Sequence, residues 1–416
     1  MAIKRPISMM DADASMPRVL VFTTVFPHTG QPNVGLFVQE RMFRVGRRVP
    51  LIVVAPIPWF PFQGLLRKWR PYFRPEAPEF EIQNEFHVYH PKFFSIPGLL
   101  KSWDGFFMAL GSYPTLCRLR RDFGFNLIDA HFAYPDGYAA TLLGQWFKIP
   151  VTITLRGTEV PLAKYSGRRK RLVKALRNAS HVFSVSRALK EHAVRLGAKS
   201  EKISVVGNGV ALSKFEPVDR FEARRQLGVS PQARVLITVG SLVPRKGFHR
   251  VIELLPNLVE KYPDLIYLIV GGPGPEGDIG DTLKALVVQL NLEQHVRFLG
   301  AMPPERLKWL LSAADLFVLA TSNEGWANVF LEAMACGLPV VTTDVGGNRE
   351  VVCRDELGFT VPFGDPVALL DALHRALAQP WEKAPILNYA AENEWEQRVD
   401  ILIEEYLKIL NPDMRN

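Results

Sequence analysis

The strongest constraint on this chain is a repeated alternation of short apolar runs, rich in β-branched residues, with turn residues and helix-length segments. Arg18–Phe26 (RVLVFTTVF), Leu51–Ala55, Leu127–Ala130, Val151–Leu155 and His181–Val185 form one series. Pro27, Gly30, Pro32 and Gly35 follow the first run, and a helical stretch begins near Leu36. The series restarts at Arg234–Val239 and continues with Leu265–Val270, Val296–Leu299, Leu316–Leu319 and Pro339–Thr342. Strand, glycine-bearing turn and helix is the repeating unit of a parallel α/β sheet. Two such series in 416 residues predict two doubly wound α/β domains. The expected division is a disordered lead-in over 1–16, a first domain over 17–212, a second over 213–387, and a closing helix over 388–416. That helix is amphipathic (Trp395, Val399, Ile401, Leu402, Tyr406) and is expected to pack back toward the first domain. Pro56–Pro91, rich in Pro and aromatics, reads as an irregular insertion. Ligands of such sheets bind at the carboxyl ends of the strands, so the site is expected in a cleft between two facing domains.

Charge is unevenly placed. Residues 1–212 carry 30 Lys and Arg against 14 Asp and Glu, a net of +16, and residues 213–416 carry 20 against 28, a net of −8. A basic first half suggests an anionic partner such as a phospholipid surface, a lipid-linked substrate or nucleic acid. Cys117, Cys336 and Cys353 are odd in number and lack CxxC spacing, which fits a reducing compartment rather than a disulfide or zinc framework. Met1–Pro17 lacks an apolar signal-peptide core, and no run is long enough to span a bilayer. A cytoplasmic chain, soluble or held peripherally on the inner face of the membrane, is expected.

The most informative stretch is Leu316–Glu350, LFVLATSNEGWANVFLEAMACGLPVVTTDVGGNRE. A strand ends near Ala320, a polar loop follows, and a helix runs from about Ala327 to Ala335 before Gly337. Backbone N–H groups at the helix start, over Gly325, Trp326, Ala327, Asn328 and Val329, attract an anion or a hydroxyl-rich ligand. Glu324 lies just before that start and Glu332 about one turn inside it. Carboxylates accept hydrogen bonds from sugar and ribose hydroxyls. A nucleotide sugar presents ribose, pyrophosphate and hexose in an order that suits this layout. In Gly240–Gly247 (GSLVPRKG), Arg245 and Lys246 place two cations at a strand-to-helix turn, which suits a diphosphate.

The pattern E-G-x-x-x-x-x-x-E-A-M-A-C-G-x-P-V-V followed by G-G-x-x-E strongly resembles glycosyltransferase family 4, retaining enzymes of the GT-B fold. The resemblance covers roughly Arg18–Tyr406 and is firmest in the second half. It implies that Glu324 contacts the transferred sugar, Glu332 the ribose and Lys246 the diphosphate. Ser241 stands where the family's loop has arginine, and Arg245 is the candidate substitute. Gly272, in GGPGPE, matches the family's G-x-G-P. The nucleotide, UDP or GDP, stays open, because backbone contacts along Val296–Gly300 would leave no side-chain trace.

On the first domain, Gly35 sits at the first strand–helix junction, where a glycine lets amides approach phosphates. The variant N-V-G-L-F-V-Q-E resembles a subgroup active in teichuronic-acid and exopolysaccharide biosynthesis. The family pattern places His131, in DAHFAYPDG, in the cleft on the acceptor side, and Arg156 stands where many relatives have histidine. Arg156 would suit the donor diphosphate or an acceptor phosphate. Trp59–Arg74 and Arg168–Arg177 are basic, and the first interleaves aromatics, as interfacial membrane segments do.

The expected activity is transfer of a hexose from a nucleotide-diphosphate sugar to an acceptor hydroxyl on a glycan or polyprenyl-linked precursor, with retention. Glu324 and His131 are the candidate catalytic residues, and no metal or other cofactor is required. Asp11 and Asp13, the one D-x-D, lie before the first strand. The rival readings are a sugar-nucleotide 2-epimerase of the same fold and a non-enzymatic nucleic-acid or membrane binder. Nucleic acid is not the expected partner, since no stacking or zinc motif accompanies the charge.

Overall fold

The computed structural model describes residues 16–32, 34–69, 73–274 and 276–411. Residues 1–15 of the expected lead-in, with its D-x-D, and Arg70–Tyr72 of the first basic stretch lie outside the described residues. The chain forms two compact units. The first runs to Ser184 and takes in Lys190–Val206 and the chain from Val399 onward; the second holds Val185–Leu189 and Gly207–Arg398. The change of unit therefore falls at Val206/Gly207, before the expected Leu212/Ser213. The expected single closing helix is two helices, Lys383–Glu392 and Trp395–Leu410, separated at Asn393. Most of the second helix belongs to the first unit.

The strands of the first unit are β1 (Val19–Phe22), β2 (Leu51–Val54), β3 (Ile57–Trp59), β4 (Phe80–Gln83), β5 (Phe86–Tyr89), β6 (Lys92–Phe94), β7 (Leu127–His131), β8 (Val151–Leu155), β9 (His181–Ser184) and β10 (Ile203–Val205). Eight of them form a sheet in the order β10-β9-β8-β7-β1-β2-β5-β4, and β3 pairs with β6 in a separate ribbon. Among the described residues, all pairs of these strands are parallel except β4 with β5. Leu20 and Phe22 enter one apolar cluster while Val19 and Val21 enter another. Successive side chains of β1 thus feed two cores, which is why the run is apolar throughout rather than alternating. Val399, Leu402, Tyr406 and Ile409 of the last helix join the second of those clusters.

The stretch expected to be irregular, Pro56–Pro91, is instead built of β3, the helix Gln63–Trp69, and the hairpin of β4 and β5. Its strands are only three or four residues long and half-exposed, too short for a period to stand out among the prolines.

The second unit is a six-stranded parallel sheet of β11 (Val235–Val239), β12 (Ile266–Val270), β13 (Val296–Gly300), β14 (Leu316–Leu319), β15 (Val340–Thr343) and β16 (Gly358–Val361). The order is β13-β12-β11-β14-β15-β16. Val235 and Ile237 pack into one cluster and Leu236 into another, so both faces are again covered. Both units are doubly wound, as the alternation predicts. The strand order reverses between β11 and β14 in this unit and between β1 and β7 in the first. At such switch points the two flanking loops diverge and leave a crevice for a ligand.

Candidate active site

In the second unit, the segments after β11 and β14 carry all the expected donor residues but Gly272, which follows β12. The two strands are neighbours, with Leu236 opposite Leu316 and Ile237 opposite Phe317. Their carboxyl ends therefore lie side by side although almost eighty residues separate them. After β11 the chain turns through Pro244–Lys246 and enters the helix Phe248–Ile252 at Gly247. After β14 it runs through Thr321–Ala327 into the helix Asn328–Ala335. The Ser322 amide donates to the Arg245 carbonyl at 2.9 Å, and an Arg250 guanidinium N–H donates to the Ala320 carbonyl at 2.8 Å. These bonds pin one loop to the other.

Glu324 is where they converge. Its Oε1 accepts from Lys246 Nζ at 2.7 Å, Arg245 Nη1 at 3.1 Å and Thr321 Oγ1 at 3.2 Å. Arg245 also bridges to Glu276 at 2.8 Å and to the Asn323 carbonyl at 3.0 Å. Burial opposes the Arg245 charge, but the Glu276 bond and the field of Glu324 outweigh it and raise its pKa. The structure thus holds the expected sugar contact and the expected diphosphate contacts in one ion cluster.

Two glycines make this packing possible. Gly247 has φ +77°, and a Cβ there would lie 1.9 Å from the Ala320 carbonyl oxygen. Gly346 has φ +54°, and a Cβ there would lie 1.7 Å from the Glu324 carbonyl oxygen. Backbone approaches backbone at both points, which no L side chain allows.

The helix Asn328–Ala335 begins at Ala327 with no side-chain cap on its first amides. Asn328 Oδ1 accepts from Asn208 Nδ2 at 2.8 Å. Trp326 packs its ring against Gly207, and Glu332 lies half-buried one turn beyond Asn328. Val329 is also half-buried in the first turn, and Gly325 is buried beneath Gly347. Gly272 uses its carbonyl to accept from the Leu242 amide at 2.8 Å. The close approach in that loop belongs to its neighbour Gly271, where a Cβ would meet the Gly240 carbonyl oxygen at 1.8 Å. Glu350, last residue of the G-G-x-x-E pattern, caps a helix: its carboxylate accepts from the Arg187 and Ala188 amides at 2.6 and 2.9 Å.

Gly35, His131 and Arg156 belong to the first unit, around its own switch point. Gly35 (φ +76°) precedes the helix Leu36–Gly46, with its Cα against the Val25 carbonyl. His131 ends β7 and is fully buried, so it presents no exposed atom to an acceptor. Its Nδ1 accepts from Arg156 Nε and Nη2, both at 3.1 Å, and its Nε2 lies 3.5 Å from Asp129 Oδ2. Burial, then Arg156 and Arg41, push its pKa well below the ordinary histidine value, so the ring is neutral. Arg156, 9% exposed, is the outer member of the pair and lies over the Phe37 ring at 5.0 Å.

Three acids here were not singled out from the sequence. Asp129 accepts from Thr152 Oγ1 at 2.6 Å. Glu159 accepts from the amides of Gly157 at 2.8 Å, Ala133 at 3.1 Å and Arg156 at 3.3 Å, fixing the loop that carries Arg156. Asp136 accepts from the Thr24 amide, and burial pushes its pKa up to about 7. Folding therefore takes up a proton on Asp136 between its ordinary pKa of 3.8 and about 7. Stability from this group falls as pH rises through that window and levels off above it. Melting temperatures of wild type and Asp136→Asn, measured from pH 4 to 8, should converge at the acid end. At pH 8 the variant should be the more stable; parallel curves would refute the assignment.

Residues 219–394 match the family model for glycosyl transferases group 1, and residues 73–214 that for glycosyltransferase family 4. The chain belongs to this glycosyltransferase family and is a transferase enzyme of GT-B fold. It is 32% identical over 338 residues to a Bacillus subtilis protein whose name assigns it, provisionally, to teichuronic acid biosynthesis as the glycosyltransferase TuaC. That match covers 79% of this chain and 82% of the relative. A D-inositol 3-phosphate glycosyltransferase of Corynebacterium urealyticum is 36% identical over 215 residues, 49% of this chain and 51% of its own length. Among solved structures, sucrose-phosphate synthase of Thermosynechococcus elongatus aligns with TM-score 0.77 at 22% identity, covering 95% of this chain and 99% of that one. Anabaena HepE in complex with UDP-glucose aligns with TM-score 0.70 at 20% identity, over 94% and 98% of the two chains.

Proposed function

We propose that this glycosyltransferase moves a hexose from a nucleotide-diphosphate sugar, UDP- or GDP-linked, to a hydroxyl of a lipid-linked or polysaccharide precursor, with retention at the anomeric carbon. The observation that carries the reading is the convergence of Lys246, Arg245 and Glu324 at the switch point of the second unit, directly before the helix Asn328–Ala335. Lys246 and Arg245 can exchange a carboxylate partner for phosphate oxygens and stabilise charge building on the leaving diphosphate. The helix-start amides of Asn328 and Val329 add to that stabilisation. Glu324 orients the hexose and Glu332 accepts from the ribose hydroxyls. No metal is needed in this scheme, because the two cations and the amides meet the diphosphate charge. Arg156, held by His131, meets a phosphate of donor or acceptor, so His131 acts through Arg156 rather than by touching substrate. The fold shared with HepE, whose structure holds UDP-glucose, and the relative named for teichuronic acid biosynthesis support this reading.

Product analysis tests transfer. Incubated with a nucleotide sugar and a membrane lipid extract, the enzyme should yield a glycolipid whose anomeric configuration matches the donor. Conversion of the nucleotide sugar without acceptor would point to an epimerase and overturn the proposal.

A further inference from the structure

We propose that the first unit docks on an anionic bilayer through one composite patch: the exposed apolar residues that follow β3 and β6, fringed by the cationic helix Ser166–Asn178. The proposal deepens the reading above, resting on it for the use of a lipid-linked acceptor. β3 and β6 are parallel, with Trp59 opposite Phe94, so the segments that follow them leave the ribbon at the same end. The first segment exposes Phe62 (81%), Leu65 (57%) and Leu66 (44%); the second exposes Leu99 (61%), Leu100 (54%) and Trp103 (46%). Ser95 ties them together: its amide donates to the Trp59 carbonyl at 2.9 Å, and Lys101 Nζ donates to its hydroxyl at 2.9 Å.

The cationic helix adjoins the second segment. A Cβ on Gly167 would sit 3.0 Å from Ser102 Cβ, and the Arg171 guanidinium lies 4.6 Å over the Trp103 ring. The helix carries Arg168, Arg169, Lys170, Arg171, Lys174 and Arg177, and no acid. Its apolar side, Leu172, Ala175 and Leu176, is spent on the core. Scattered exposed leucines are ordinary on a surface, but several gathered at one end of a ribbon and bordered by cations form an interfacial surface. The charge selects the occupant: apolar tips enter the acyl boundary while the cations meet anionic headgroups. A protein partner would call for paired polar groups rather than one-signed charge. Among the described residues no helix is long and apolar enough to cross a membrane.

The test is co-sedimentation with vesicles of phosphatidylcholine alone and of an equimolar mixture with phosphatidylglycerol. Wild type should partition at least ~10-fold more strongly onto the mixed vesicles. Leu99→Ser with Leu100→Ser should weaken that partition by ~10-fold or more, including at raised salt. Arg169→Glu with Lys170→Glu should weaken it most at low salt. Both pairs replace exposed residues, so melting curves and nucleotide release toward a water-soluble acceptor should match wild type. Wild-type partition retained by both double variants, no preference for the anionic vesicles, or RNA displacing the vesicles would overturn the proposal. Absence of nucleotide release in wild type would count against the transfer reaction alone, since vesicle binding is read independently.

Discussion

Glu324→Gln is expected to lower turnover by roughly two orders of magnitude or more, and Lys246→Ala by a similar factor. Glutamine keeps the size of the side chain but removes the charge that draws Lys246 Nζ to 2.7 Å and Arg245 Nη1 to 3.1 Å. It also replaces one acceptor oxygen with an NH2 donor at the position proposed to orient the hexose. The two residues share one ion cluster, so their effects should not add: the double variant should cost little more than the worse single one. Steady-state nucleotide release by the two single variants and the double variant checks this. Multiplicative losses would mean that Glu324 and Lys246 act independently, and near-normal turnover in both single variants would remove the cluster from the mechanism.

The second large effect is structural. Gly247→Ala should destabilise the second unit by roughly 3 kcal/mol or more, because a positive φ and a backbone clash act together. Gly364→Ala is the control. Gly364 also has positive φ, +84°, but nothing lies within 4 Å of a Cβ there. It should cost only about 1 kcal/mol, from the left-handed backbone alone. Gly247→Ala should also shift the turn that carries Lys246, so its turnover should fall even well below its melting temperature. Equal thermal shifts for the two variants would show that the chain relaxes around Ala320 without strain. Calorimetric melts of both proteins decide between these outcomes.

How much of this was legible in the sequence differs by level. The ten apolar runs are strands because their residues feed cores on both faces, and that burial writes itself into composition. The helix Asn328–Ala335 and the positions of Glu324 before it and Glu332 on it were legible because a helix start, a loop acid and small-residue packing are local features. The meeting of Glu324 with Lys246 is not local. It depends on β14 pairing with β11, two strands that follow in neither sequence nor spacing, and only the sheet order supplies it.

The first unit hid more. His131 reads as a residue at a strand end, free to face a substrate, yet it is buried beneath Arg156 and turned toward Asp129. Glu159 and Asp136 read as polar loop residues, and nothing in RGTE or YPDG shows that each accepts backbone amides inside the fold. The membership of Val185–Leu189 in the second unit leaves no mark in the sequence for a similar reason. Glu350 reaches the Arg187 and Ala188 amides from far along the chain, and no local pattern announces such a cap.

The most direct test of the donor assignment is nucleotide release across a panel of UDP- and GDP-sugars, with a membrane lipid extract as acceptor, for wild type beside Glu324→Gln. Wild type should release nucleotide diphosphate from one donor class in an acceptor-dependent manner, and Glu324→Gln should release it roughly a hundredfold more slowly while still folded. Equal release by the two proteins, or none from any donor, would contradict the assignment of the site after β14 as the place where the sugar nucleotide is held.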